Sequence, residues 1–137
     1  MSPSFKIWPP CNISPGVVIG DGVNIGAFTE IGPNVVLGKN VRIGAMCFIP
    51  EGVTIEEDAW IGPRCTFTND RYPPSKREDW QATWIGRGAR LGAGVTVLPG
   101  IVIGEKALIG AGSTVTKSVP PGETWAGCPA KKIKGGN

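Results

Sequence analysis

Histidine is absent from all 137 residues. The chain therefore lacks the commonest metal-binding side chain and the side chain that most often serves as a general base near neutral pH. Its four cysteines, Cys11, Cys47, Cys65 and Cys128, form no CxxC pair. The usual zinc signatures are missing, and the thiols read as reduced and structural, with no metal expected. Charge of one sign is also scarce: 14 Lys plus Arg against 11 Asp plus Glu leave +3, too little and too evenly spread to mark a nucleic-acid surface. No apolar run approaches a membrane span, and the opening MSPSFKIWPPCN has no charged stretch followed by a long apolar core. The expectation is a cytoplasmic protein that binds neither membrane nor nucleic acid. A chain of this length makes one body with loops rather than two domains.

What the chain has in abundance is glycine and proline, 21 and 13 residues. Such a composition signifies disorder unless it carries a period. It carries one of six. An aliphatic residue recurs at Ile13, Ile19, Ile25, Ile31, Leu37, Ile43, Ile49, Ile55 and Ile61, then Phe67, and the series resumes at Ile85, Leu91, Val97, Ile103, Ile109 and Val115. The next residue is usually glycine, which implies a repeated bend. Four positions after each aliphatic stands a small or β-branched residue, from Val17 and Val23 to Cys47, Cys65 and Ser113. One large and one small inward side chain per hexapeptide fill a narrow core. Period six fits neither an amphipathic helix nor a long alternating strand, so short strands separated by bends remain.

The pattern [LIV]-G-x-x-[STAVC]-x resembles the hexapeptide-repeat family over roughly residues 13–121. The resemblance implies an all-β fold, a left-handed parallel β-helix of about five to six coils with three hexapeptides per triangular coil. Residues 1–12 are then expected as an N-terminal cap, 13–121 as the helix with a loop projecting at 68–84, and 122–137 as a C-terminal cap and basic tail. Residues 18 apart should stack at about the 4.8 Å strand spacing. That places Cys47 over Cys65, a stack of small apolar residues whose adjacency also permits a disulfide. Outward positions hold Val18, Val36, Phe48, Trp60, Val102 and Leu108. These need cover, and the family's trimers imply a homotrimer with parallel axes.

Between Phe67 and Ile85 the text reads TNDRYPPSKREDWQATW. Pro73 and Asp79 stand where aliphatics are due, so composition favours an external loop over a degenerate coil, leaving and rejoining the same corner. Its turn Thr68-Asn69-Asp70-Arg71-Tyr72-Pro73 is similar to that of the family's nucleotide-sugar N-acetyltransferases. The resemblance implies Asn69 as the active-site asparagine and Asp79 as its acidic partner, with Asp70 or Glu78 as alternatives to Asp79. The absence of histidine excludes the family's carbonic anhydrases, which share the fold but hold zinc with histidines. Hydroxyl acylation in many relatives uses a histidine base, whereas a neutral amine is already a nucleophile. Amine acetylation is the transfer best supported.

Gly92-Ala93-Gly94 and Gly110-Ala111-Gly112 lie 18 residues apart and leave a groove without side chains, suited to an extended pantetheine arm. A backbone N–H there is the expected oxyanion donor. The ending GAGSTVTKSVPPGETWAGCPAKKIKG resembles the family's C-terminal closure. It implies Ala93, Gly94, Ala111, Gly112, Lys117, Lys131, Lys132 and Lys134 as contacts for acetyl-CoA, the lysines facing its phosphates. The acceptor implied is a nucleotide-linked amino sugar. Two other readings stay open: a CoA-dependent acyltransferase of another amine or a hydroxyl, and a non-catalytic trimeric scaffold.

Overall fold

The structure is a computed structural model that describes residues 4–135. Two-residue strands alternate with bends and stack into three parallel sheets, the faces of a triangular prism. Face I stacks Lys6–Ile7, Asn24–Ile25, Arg42–Ile43, Trp60–Ile61, Arg90–Leu91, Leu108–Ile109 and Glu123–Gly127, and the antiparallel strand Ala130–Gly135 closes its far edge. Face II stacks Asn12–Ile13, Glu30–Ile31, Phe48–Ile49, Thr66–Phe67, Thr96–Val97 and Thr114–Val115. Face III stacks Val18–Ile19, Val36–Leu37, Thr54–Ile55, Trp84–Ile85 and Val102–Ile103, and Val119 bridges to Ile103.

The all-β parallel helix expected from the period is what the chain forms. In every strand from Asn24–Ile25 to Thr114–Val115 the second residue is buried, and the small residue two positions earlier closes the corner behind it. The stack exceeds the five to six coils expected. Lys6–Ile7 pairs with Asn24–Ile25, inside the segment expected as a cap, and Trp125 takes the inward place over Ile109. Neither rung carries a glycine just after its inward residue, and Trp125 is not the aliphatic by which the period is read.

The 18-residue ruler holds on each side of the loop and fails across it. Trp60 pairs with both Arg42 and Arg90, and Trp84 with both Thr54 and Val102, so the spacing there is 30 on one side. The loop leaves face II at Phe67 and the chain re-enters on face III at Trp84. It is an insertion at the II/III edge, not a lost coil.

Candidate active site

The inserted loop is held at three points. At its base the Gln81 N–H donates to the Asn69 carbonyl at 2.8 Å, and the Thr68 hydroxyl donates to the Val97 carbonyl at 2.9 Å. Further out, the Arg77 guanidinium pairs with Glu51 at 2.6 Å, strapping the loop to the coil below. Inside the loop, Asp70 Oδ2 accepts the Ser75 N–H at 2.8 Å, and this bond holds Asp70 below the ordinary carboxylate range. The other oxygen, Oδ1, is buried without a partner. Asp70 thus organises the turn that the TND text announces.

Asp79 has the opposite character. It ends a single 3-10 turn, Arg77–Asp79, whose residues are all exposed, and its carboxylate has no hydrogen-bond or ion-pair partner among the described residues. Asn69 is half-buried at the loop base, and its carboxamide is likewise uncommitted. The structure therefore separates the three acids considered from sequence. Asp70 is occupied by Ser75, while Asp79 and the exposed Glu78 are available.

The two GAG triplets stack on the I/II edge, since Leu91 pairs with Ile109 and each triplet leads from face I to face II. The first glycine of each is required by close approach: a Cβ on Gly92 would lie 2.7 Å from the Ala111 nitrogen, and one on Gly110 would lie 2.9 Å from the Ala126 Cβ. The third glycines, Gly94 and Gly112, have φ of +68° and +70° and open space where a Cβ would stand. Their N–H groups donate to the Pro63 and Ala93 carbonyls at 2.8 Å, so neither is free to face an oxyanion. The edge is a bare wall on which the N–H groups of Ala93 and Ala111 have no partner among the described residues.

Face II separates the GAG edge from the loop edge within one protomer. The sequence places the triplets beside the loop, and the prism puts them on different edges. Two coils beyond the loop on its own II/III edge lies Lys117. With Thr116, Trp125, Pro129, Ala130, Lys131 and Lys132 it lines a cavity of about 260 Å³ at the closed end of the prism. Three of the four lysines picked out in the sequence converge there; Lys134 lies outside the residues whose side chains are described. Lys132 also pairs with Glu123 at 3.6 Å. A cavity of about 490 Å³ lies at the opposite side, on face III toward the III/I edge. Its Arg87 is already paired with Glu105 at 2.9 Å and Glu57 at 3.6 Å, and of the other charged lining residues Lys39 has no ion-pair partner among the described residues.

Cys47 and Cys65 stack as expected and are free thiols. The neighbouring Cys65 sulfur and burial push the Cys47 thiol well above its usual value, so it stays a protonated, unreactive thiol. No cluster of three or more His, Cys, Asp or Glu side chains able to hold a metal occurs among the described residues, and no helix there is long and apolar enough to cross a membrane.

The sequence profile of the bacterial transferase hexapeptide (six repeats) matches residues 16–51 and 82–117, leaving out 52–81, the coil before the loop and most of the loop. A search of curated proteins finds no match. Among solved structures, GDP-perosamine N-acetyltransferase from Caulobacter crescentus, a histidine-to-alanine variant holding CoA and GDP-perosamine, superposes with a TM-score of 0.85 at 25% identity, over 97% of this chain and 58% of that one. The acetyltransferase domain of PglB from Neisseria gonorrhoeae gives 0.82 at 24% identity, over 93% and 56%. AntD, an N-acyltransferase from Bacillus cereus carrying an aspartate-to-asparagine substitution and holding dTDP and coenzyme A, gives 0.84 at 22% identity, over 98% and 84%. The chain spans a little over half the length of the first two.

Proposed function

The chain belongs to the bacterial transferase hexapeptide family, and from that premise we propose that it is an acetyl-CoA-dependent N-acetyltransferase acting on an amino group of a nucleotide-linked sugar, a cytoplasmic homotrimer with its sites between protomers. The observation that carries the reading is the strapped loop, which presents an uncommitted carboxylate, Asp79, and an uncommitted carboxamide, Asn69, on a prism of the shape that holds CoA in the Caulobacter protein. In this reading Asp79 accepts a proton from the attacking amine as the C–N bond forms. Asn69 positions the thioester or the substrate, and an uncommitted N–H on the GAG edge, that of Ala93 or Ala111, donates to the thioester oxygen as it becomes an oxyanion. Collapse of the tetrahedral intermediate breaks the C–S bond, and the proton passes to the departing CoA sulfur.

The pantetheine arm runs along the bare wall at Ala93, Gly94, Ala111 and Gly112, and Lys117, Lys131, Lys132 and Lys134 face the nucleotide phosphates. A single protomer keeps wall and loop on separate edges, so a second copy completes the site. Face III supports that assembly: its outward column reads Val18, Val36, Thr54, Trp84 and Val102, and its four apolar members, 38–56% exposed in one protomer, need cover.

Free-thiol release from acetyl-CoA with a panel of nucleotide-linked amino sugars is the direct test. Asp79→Asn should lower kcat by about 10²-fold or more, the usual worth of a positioned base, with little change in KM for acetyl-CoA. Unchanged turnover in Asp79→Asn and Asn69→Ala would remove both from the chemistry. Absence of any thermal stabilisation by acetyl-CoA would favour a non-catalytic scaffold.

A further inference from the structure

Face I carries a feature that the acyl-transfer site does not use. On successive rungs, about 4.8 Å apart, its outward column reads Arg42, Trp60, Arg90. Below them stand Lys6 and Asn24, and above them Leu108 and Thr124, so the column contains no carboxylate. Neither arginine has an ion-pair partner among the described residues, where the salt bridges belong to Arg77, Arg87 and Lys132. Neither is stacked on Trp60: the cation over an indole is Lys6, 3.9 Å from the Trp8 ring. Trp60 is 42% exposed and stands between two hollows. One, of about 410 Å³, is shared with Arg90, Gly92 and Leu108, and the other, of about 160 Å³, with Arg42 and Trp8.

An uncovered indole flanked by two unpaired guanidinium groups, in an outward column without carboxylates, is complementary to a planar base joined to phosphates. The ring offers a stacking platform that any base can use. Each guanidinium offers a planar fork that matches phosphate oxygens. We propose that face I binds a nucleoside diphosphate, its base stacked on Trp60 and its phosphates held by Arg42 and Arg90. Gly92 belongs both to this hollow and to the bare I/II edge, so a nucleotide seated here brings whatever sugar it carries to the wall on which the acyl donor is proposed to lie. Assigning the nucleotide to the acceptor rests on the transferase reading. The binding itself does not.

Calorimetric titration of the full chain with UDP, GDP and dTDP tests the site without any turnover. Wild type should bind at least one of them, more weakly as salt rises. Trp60→Leu, Arg42→Gln and Arg90→Gln should each weaken binding about tenfold or more, with Trp60→Phe restoring most of the Trp60→Leu loss. Inorganic pyrophosphate should bind far more weakly than UDP, because it cannot stack. The ADP portion of CoA shares this chemistry, so the titration is repeated with saturating CoA: persistence of UDP binding assigns the site to the acceptor, and displacement overturns that assignment. No binding of any nucleoside diphosphate, or equal binding by the variants, overturns the site. Dissociation of an oligomer in the Arg42→Gln, Arg90→Gln double variant would show instead that this face meets another copy of the chain. A wild-type protein that binds UDP but transfers no acetyl group would sink the enzyme reading and leave the site standing.

Discussion

Thr29, Cys47 and Cys65 occupy one column behind the I/II edge, and each does more than fill space. The Thr29 hydroxyl donates to the Gly44 carbonyl, and the Cys47 and Cys65 thiols to those of Gly62 and Gly92, all at 3.2 Å and all reaching into the next coil. Cys11 does the same for Gly26. Val95 breaks the column, and the carbonyl it cannot serve, that of Gly110, takes the Ser113 hydroxyl at 2.7 Å instead. On the III/I edge the matching carbonyls of Gly86 and Gly104 are met by the N–H groups of Ala89 and Ala107 at 3.1 Å. From Val23 to Ala107 only apolar residues stand in the column there. Sequence shows the column as small residues and no more, because a serine or cysteine at a packing position reads the same whether or not its donor is used. Thr29→Val keeps the shape and removes the donor, so it should destabilise the fold by about 1–2 kcal/mol, measured by urea unfolding. Wild-type stability in that variant would reduce the column to packing.

The loop is separable from the coil that carries it. The step from Thr66 to Trp84 takes 18 residues where Phe48 to Thr54 takes six, and the Asn69–Gln81 hydrogen bond brings the two feet together. Joining Thr68 directly to Gln81 would leave TFTQATW, an ordinary hexapeptide step from face II to face III. That deletion should keep the parallel-sheet circular dichroism and a Tm within a few degrees of wild type, while abolishing acetyl transfer; a collapsed Tm would make the loop part of the fold's foundation. The same arithmetic explains the limit of the sequence reading. The period names the inward residues, the corners and the loop, but the insertion is itself a multiple of six. Counting straight through it puts Trp84 over Thr66 on face II. Hydrogen-bond pairing puts it on face III, and every later face assignment moves with it. Asp70's commitment to Ser75 and the Arg77–Glu51 strap involve no period, and so no pattern in the text announces them.

Across the whole molecule the three faces are unlike one another. Face II above the middle is threonine-rich, with Thr66, Thr96 and Thr114 outward, whereas the outward residues of face III are mostly valine and tryptophan. The apolar outward residues noted in sequence thus divide: Val18, Val36 and Val102 gather on face III, while Phe48 stands on face II and Trp60 and Leu108 on face I. If face III is the contact between copies, the double variant Val36→Glu, Val102→Glu should sediment as a monomer and lose transfer, since loop and wall would no longer meet. A wild-type monomer at micromolar concentration would remove the assembly. The two ends of the prism differ as well. A parallel stack can in principle go on adding rungs, and its last rung offers free N–H and C=O groups to any matching strand. Here Glu123–Gly127 turns back into the antiparallel Ala130–Gly135, with a register shift between Thr124 and Trp125. The outermost strand now runs the wrong way for another coil, and exposed Lys131 and Lys132 charge it. The hairpin therefore acts as a chain terminator, guarding against fibre growth at the end where the fold's own regularity would otherwise invite it.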